Sequence, residues 1–291
     1  MKILLIGKTG QIGKEIDLLA RKAKHEILSC TKNEADIINY VSINKIIKKF
    51  KPQAVINASG YHVVSECENN PDEAFEINAY ALRNLSIVCN SINARLINFS
   101  TDKVFDGKKR TPYIEEDRPN PIQVYGMSKL AGELVSDVYH DDSITIRTCG
   151  VYGGLTGSRV KKGNFVLYIL NEAKSKKELE ISMEQIASFV NASDLAKATL
   201  KLLELKAKKG IYHIVNTGYG SWADFAKEIV SLSGVNLKII PVDRSGIYSD
   251  IKIPLFAALD NSKIQKAGVP IASWQDGLER YLRFLSKRKE L

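Results

Sequence analysis

Tyr125-Gly126-Met127-Ser128-Lys129 sets a phenol and an ammonium four residues apart, on one face of any helix that carries them. An ammonium beside a phenol favours tyrosinate and lowers the phenol's pKa toward working pH, while its remaining donors can hold a ribose. Tyr125 can then deliver a proton to a carbonyl oxygen as hydride reaches the carbon. Tyr and Lys at this spacing are commonplace, so the pair gains meaning from Ser100-Thr101-Asp102, which closes a β-rich run. Ligands of parallel sheets lie outside the carboxyl ends of the strands, which puts the Thr101 hydroxyl where it can donate to the same oxygen.

A second group of residues has the chemistry of a phosphate cradle. Gly7, Thr9, Gly10, Gln11, Ile12 and Gly13 lie in a glycine turn that follows the first apolar run and opens a helical pattern. Glycines allow a tight turn and close backbone approach, and a helix N-terminus offers N–H groups to a pyrophosphate. The spacing is Gly-x-x-Gly-x-x-Gly, without the Gly-Lys-Ser/Thr ending of an ATP-binding loop. At the end of the second β-rich run, where an acidic residue would bind the ribose hydroxyls of NAD, the chain has Ser29-Cys30-Thr31-Lys32. Lys32 with the Thr31 hydroxyl suits a 2′-phosphate, so the expected cofactor is NADP(H), with NAD(H) as the alternative. Asp36 and Ile37 are expected beside the adenine, and Asn57, Ala58 and Ser59 beside the rest of the dinucleotide.

The elements that must position these groups alternate. Strands are expected at Lys2–Ile6, Glu26–Cys30, Ala54–Asn57, Arg95–Phe99, Ser143–Arg147 and Ile211–Val215, all in one parallel sheet. Helices are expected at Gln11–Lys22, Ser42–Phe50 with Ser42 as cap, Asp72–Asn90 after Pro71, Tyr125–Val138 and Ser193–Leu205. Parallel neighbours need crossovers, so this is an α/β, Rossmann-type doubly wound sheet. After Arg147 the rhythm loosens: Val151 to Lys162 is Gly-rich and polar, and helices at Asn164–Ala173, Ser221–Ser233, Asn261–Lys266 and Ser273–Ser286 surround a short strand at Leu237–Ile240. These fragments suit a smaller interleaved α/β substrate domain. The expected division is 1–152 plus 187–219 for the dinucleotide domain, and 153–186 plus 220–291 for the substrate domain.

Composition narrows the class. The 291 residues, 44% hydrophobic and 26% charged, match a globular chain with one large domain or two smaller ones. The longest apolar run, Phe165 to Leu170, falls far short of the roughly 20 residues that span a bilayer, so no membrane partner is expected. Polar Lys8, Thr9 and Gln11 follow the first apolar stretch too soon for a secretory signal, and a cytoplasmic location is expected. Cys30, Cys67, Cys89 and Cys149 form no metal-ligand spacing with the four histidines, so they are read as free thiols and no metal is assigned. The net charge of +9 suits an anionic ligand. Its lysines, in groups such as Lys48-Lys49-Lys51, Lys161-Lys162 and Lys206-Lys208-Lys209, are scattered without aromatic interleaving, against a nucleic-acid partner.

Together the motifs resemble the extended short-chain dehydrogenases/reductases, and within them the dTDP-4-dehydrorhamnose reductase family. The resemblance rests on the glycine turn, Asn57-Ala58-Ser59, Ser100-Thr101-Asp102, Phe105-Asp106-Gly107, Pro112-Tyr113-x-Glu115 and Tyr125 through Glu133. Later matches are Asn164-Phe165, Asp194-Leu195-Ala196 and Leu259-Asp260-Asn261-Ser262-Lys263. It implies a catalytic triad of Thr101, Tyr125 and Lys129, a nucleotide-sugar as substrate, and substrate contacts at Lys103, Asn164 and Ile253; it leaves room for a homodimer. The implied activity is NADPH-dependent reduction of the 4-keto group of a nucleotide-activated deoxysugar. The alternatives are a nucleotide-sugar epimerase or dehydratase, and a non-catalytic NADP-binding subunit resembling the regulatory subunit of methionine adenosyltransferase.

The departures from the family pattern fall in the substrate half. Lys103 stands where the family has Tyr, Gly150 where it has an aromatic, Phe189-Val190 where it has Pro-Thr, and Ile253 where it has Arg. Losing an Arg and a stacking aromatic weakens recognition of a pyrophosphate and a base, although Lys103 can supply a replacement charge. The family's divalent-ion contacts are matched only at Glu15, and the Glu that follows Thr-Asp in dehydratases is Lys103 here, against elimination chemistry.

Overall fold

The computed structural model describes residues 1–154, 163–243 and 251–288. In chain order the first half runs β1 (Lys2–Ile6), α1 (Gln11–Lys22), β2 (Glu26–Cys30), α2 (Tyr40–Phe50), β3 (Ala54–Asn57), α3 (Val64–Asn69), α4 (Pro71–Phe75), α5 (Ala81–Ser91), β4 (Arg95–Thr101), α6 (Val124–Tyr139) and β5 (Ser143–Thr148). The rest is β6 (Val151–Tyr152), α7 (Phe165–Glu172), β7 (Glu178–Ser182), β8 (Ile186–Ala187), β9 (Val190–Asn191), α8 (Ala192–Glu204), β10 (Gly210–His213), β11 (Gly220–Ser221), α9 (Trp222–Ser233), β12 (Lys238–Val242), α10 (Ser262–Lys266) and α11 (Trp274–Lys287).

β10, β5, β4, β3, β1 and β2 lie side by side in that order, every pair parallel. Both faces are covered, which is why β1 reads as an unbroken apolar run. Ile3 and Leu5 enter the core under α1, α8 and α10, while Leu4 and Ile6 enter the core under α2 and α5. The chain steps from β2 over β1 to β3, so the winding reverses between β1 and β3, where open α/β sheets bind ligands. Val151–Lys162 is described only up to residue 154, and the Lys161-Lys162 group lies outside the described residues.

Three expectations change in detail. α2 begins at Tyr40, and its cap is Asn39, whose side chain accepts from Ser42 N at 3.0 Å. α8 likewise begins before the expected Ser193, at Ala192, and is capped by Asn191, accepting from Ser193 N at 2.9 Å. The long helix expected over Asp72–Asn90 is interrupted by a π-helical turn, Glu76–Tyr80, between α4 and α5. α6 crosses there so closely that a Cβ on Gly132 would lie 2.3 Å from the Asn78 carbonyl oxygen.

The smaller core gathers α7, α9 and α11 around stacked Phe189 and Phe225, whose ring centres are 4.1 Å apart. Trp222 and Trp274 meet both rings edge-on. Its sheet is β12 beside β7 in parallel; β7, Glu-Leu-Glu-Ile-Ser, was absent from the expected elements because two glutamates interrupt its apolar positions. Leu259, Ile264 and Val269 pack with the large sheet, although their stretch was expected in the substrate domain.

Candidate active site

The winding reversal sets the first part of the site. Gly7 has φ +86°, and a Cβ there would lie 2.8 Å from Ser59 N, so only glycine lets the β1 and β3 ends approach this closely. A Cβ on Gly13 would lie 2.2 Å from the Gly7 carbonyl oxygen, which seats α1 directly on the turn. Gly10 is the α1 cap and brings no side-chain oxygen, leaving Gln11, Ile12 and Gly13 to present first-turn N–H groups. This cradle, which any side chain would fill, fits a pyrophosphate. Thr9 lies within the turn, and the Gln11 side chain donates to Gly153 O at 2.9 Å, tying the turn to the loop after β6. Asn57 donates to Asn98 Oδ1 at 3.0 Å and accepts from Ser59 N at 3.1 Å, fixing the loop that carries Ala58.

At the end of β2 the reading needs a correction. Thr31 does not stand ready for a phosphate: its amide and hydroxyl both donate to Glu34, at 2.8 and 2.9 Å, and Glu34 is an exposed carboxylate held below its usual pKa chiefly by the Thr31 amide. The acidic group sought at the strand end therefore folds back from three residues further on. Lys32 is exposed beside it, Asp36 accepts from Ile38 N at 3.3 Å, and Ile37 is 7% exposed in the core under α2. Ile37 is thus packed in the core rather than open to a ligand.

The proton-handling groups meet where β4 ends. A Cβ on Gly126 would fall 2.1 Å from the Lys103 carbonyl oxygen, so Gly126 lets the first turn of α6 press on the 3₁₀ turn Asp102–Val104. Tyr125 thus comes within hydrogen-bonding reach of the Thr101 hydroxyl. That hydroxyl has one proton, and in the free protein it points to Asp102 Oδ1 at 2.9 Å; Thr101 accepts from Lys103 N at 3.2 Å. Lys129 lies on the same side of α6, its ammonium nitrogen 3.7 Å from where a Cβ on Gly60 would stand. Burial pulls Lys129 down to about 8, against the negative charge of Glu133, which raises it.

The phenol departs from expectation. Burial dominates at Tyr125 and pushes its pKa up, with Asp102 adding to the rise, so Tyr125 is a phenol that keeps its proton rather than a tyrosinate. For a group that must donate a proton this is the useful form.

The substrate-side residues separate. Lys103 Nζ pairs with Asp102 Oδ2 at 2.9 Å, and although burial lowers its pKa, Asp102 more than offsets this and raises it. Ile253 is half-buried; the next residues, Pro254 and Leu255, pack on Gly107, φ +79°, so the segment borders the loop that follows Lys103. Asn164, 4% exposed, is used within the fold: it caps α7 by accepting from Val166 N and Leu167 N at 3.1 and 3.2 Å and donates to Tyr281 Oη at 2.9 Å. Phe189 is wholly buried in the aromatic core, and Gly150, φ +53°, is needed there because a Cβ would meet the Ser188 carbonyl oxygen at 2.4 Å. Glu15 is raised above its usual value by burial, and no group of metal-ligating side chains occurs among the described residues.

Two supports had little or no signal in the sequence. Asn78, on the π-helical turn, donates to Tyr61 O at 2.8 Å and Ser128 Oγ at 3.0 Å, and accepts from Tyr61 N at 2.9 Å, locking α6 to the loop after β3. Glu133, four residues beyond Lys129 and visible as part of the motif, is gripped by Arg147 of β5 through Nε at 2.9 Å and Nη2 at 2.7 Å.

Relatives are similar along nearly the whole chain. A 33% identical protein of Bacillus subtilis, described as spore coat polysaccharide biosynthesis protein SpsK, aligns over 97% of both chains. A 31% identical dTDP-4-dehydrorhamnose reductase of Shigella flexneri aligns over 98% of both. The crystal structure of dTDP-4-dehydrorhamnose reductase from Bacillus anthracis in complex with NADP superposes with a TM-score of 0.91 at 30% identity, covering 98% of this chain and 100% of that one. The model of the RmlD substrate binding domain matches residues 1–286. With its parallel sheet, glycine cradle and Tyr125–Lys129 helix, the chain belongs to the RmlD substrate-binding-domain family, of the extended short-chain dehydrogenase/reductase fold.

Proposed function

We propose that this protein is an NADPH-dependent reductase of the 4-keto group of a nucleotide-activated deoxysugar, of the dTDP-4-dehydrorhamnose reductase type. One observation carries the reading: the half-buried phenol of Tyr125, with Thr101 and Lys129, sits where β4 ends, beside the same sheet as a glycine cradle shaped for a pyrophosphate. Gly7, Gly10, Gln11, Ile12 and Gly13 would hold the dinucleotide phosphates, Lys32 the 2′-phosphate and Lys129 the nicotinamide ribose. When bound, the reduced dinucleotide supplies hydride.

The protein's own part is proton handling. Tyr125 gives its phenolic proton to the substrate oxygen as that oxygen gains charge, turning ketone to alcohol. The phenolate left behind is stabilised by the Lys129 ammonium and regains a proton from solvent. Thr101 turns its hydroxyl from Asp102 to the substrate oxygen, or orients Tyr125 by accepting from it. Lys103 faces the substrate as a cation in reserve, with Ile253 on the neighbouring segment.

The division into a dinucleotide-binding and a substrate-binding part belongs to this reading, supported by the separate aromatic core. So does a homodimer, supported by the exposed apolar stripe of Met127, Leu134 and Val138 on α6, and checked by light scattering. A cytoplasmic location is supported by four cysteines that are all free and buried; no helix among the described residues is long and apolar enough to cross a membrane.

The test mixes purified protein and NADPH with a panel of 4-keto nucleotide-sugars and follows NADPH absorbance. Oxidation dependent on one of them, lost in Tyr125→Phe, supports the reading. Tight NADPH binding without turnover of any member overturns it in favour of a cofactor-binding regulatory protein.

A further inference from the structure

We propose that Glu133, held in place by Arg147 and Ser100, is the positioning residue that keeps Lys129 an ammonium ion. The geometry comes first. Glu133 is one helical turn beyond Lys129 on α6, so the two side chains share a face. It is 5% exposed, and its carboxylate receives Arg147 Nε on Oε1, Arg147 Nη2 on Oε2, and the Ser100 hydroxyl on Oε1 at 2.5 Å. Arg147, 1% exposed, is itself held by the Glu115 carbonyl oxygen at 3.4 Å and by the face of Phe105 at 5.0 Å. β4, β5 and α6 thus converge on one carboxylate, directly behind the residues that do the chemistry.

The charges around Lys129 are few. Cys67 faces it from α3 as a thiol pushed up to about 12 by burial, and Glu68 of the same helix is occupied by Val124 N at 2.7 Å. Tyr125 keeps its proton. Glu133 is the carboxylate whose charge opposes the effect of burial on the ammonium. Without Glu133 that opposing charge is lost while the burial remains, and Lys129, which unlike Arg147 can give up its proton at accessible pH, would be the one to neutralise. A neutral amine cannot stabilise the phenolate left at Tyr125. Ser100, next to Thr101 in sequence, ties this support to the strand end that carries the reaction.

The functional consequence rests on the role of Lys129 proposed above; the test reads the lysine itself. In protein labelled at lysine Cε, the Lys129 resonance, assigned by its absence in Lys129→Arg, is followed against pH. Glu133→Gln should move the Lys129 titration to lower pH by about one unit or more, the scale of a lost opposite charge. That variant leaves Arg147 buried without a partner and can unfold, so Glu133→Gln with Arg147→Met removes both charges together and should move the titration the same way by a smaller step. Glu133→Asp, which keeps the charge, should stay near the wild-type value. Where NADPH binds, the alkaline loss of its affinity should shift in parallel. A merely structural ion pair would lower the melting temperature and leave the Lys129 titration where it was; that result in the folded variants, or an upward shift, overturns the proposal. Failure of the wild-type protein to turn over any nucleotide-sugar would overturn the proposed function and leave this titration standing.

Discussion

In the large sheet, Asn57, Thr101 and Thr148 end neighbouring parallel strands, so the sheet itself carries them to one end. The aromatic unit holds itself together differently, through Phe189, Phe225 and Trp222 of α9, and Trp274, which come from three places far apart in the chain. The departures from the family pattern show what that difference does. Phe189 and Gly150 are packing solutions, each fitted to the other, whereas Lys103 and Ile253 sit on loops beside the strand ends. Changes in the first pair should alter stability and changes in the second pair should alter substrate choice.

The largest effect expected is at the strand-end chemistry. In the proposed mechanism Tyr125→Phe removes the proton donor, and kcat should fall by about 10²-fold or more with NADPH affinity nearly unchanged. Near-normal turnover would mean that the proton comes from elsewhere. In the aromatic unit the matching substitution is Phe189→Ala, which empties the centre of the stack and should cost about 3–5 kcal/mol in a urea titration. Loss of substrate affinity at unchanged stability would instead place Phe189 in the substrate pocket.

His213 offers a pH-dependent test of the seam where β10 meets the segment at Tyr113. Its Nδ1 lies 3.0 Å from Tyr113 O and 3.2 Å from Asp260 O, and burial, with Arg147 nearby, lowers its pKa to about 3. A histidine lowered from its unfolded value near 6.5 contributes stability that is present above about pH 6.5 and is lost as pH falls toward the folded value. His213→Asn should therefore flatten the stability loss between about pH 6.5 and 5, above the range where carboxylates titrate. An unchanged slope would show that another group governs acid sensitivity there.

Lys32→Ala should weaken NADP(H) by roughly 1 to 3 kcal/mol, the scale of a charge-assisted hydrogen bond, and leave NAD(H) almost untouched. With Thr31 committed to Glu34, Lys32 acts without a neighbouring hydroxyl, and Glu34→Gln should strengthen NADP(H) by removing a nearby carboxylate. Equal changes for the two cofactors, measured by fluorescence titration, would move both residues out of the 2′-phosphate site.

Much of the sheet was legible because it depends on local signals: continuous apolar runs, a glycine turn, and helices with one apolar stripe. Thr101, Tyr125 and Lys129 could be singled out in the same way, since each lies on an element that local signals reveal. What stayed hidden depends on partners distant in sequence. β7 is a strand because β12 lies beside it, and Asn78 matters because a π-helical turn aims it at Tyr61 and Ser128. The raised pKa of Tyr125 was hidden for a related reason: spacing showed the ammonium, but the burial that pushes the phenol up comes from the packing of α6 on the strand end.

The smallest effect expected separates two nearby residues, Asn39 and Ser42, whose types both suit a helix cap. Ser42 had the right type, but the residue that caps α2 must stand outside the helix with its side chain reaching the N–H groups of the first turn. Asn39 does so, at 3.0 Å from Ser42 N, while Ser42 is already within the helix and supplies only its backbone donor. Asn39→Ala should therefore cost about 1 kcal/mol in a urea titration, and Ser42→Ala a few tenths or less, because alanine is the better residue inside a helix. The reverse order would mean that α2 begins at Ser42 in solution and that its first turn, Tyr40 and Val41 included, is frayed.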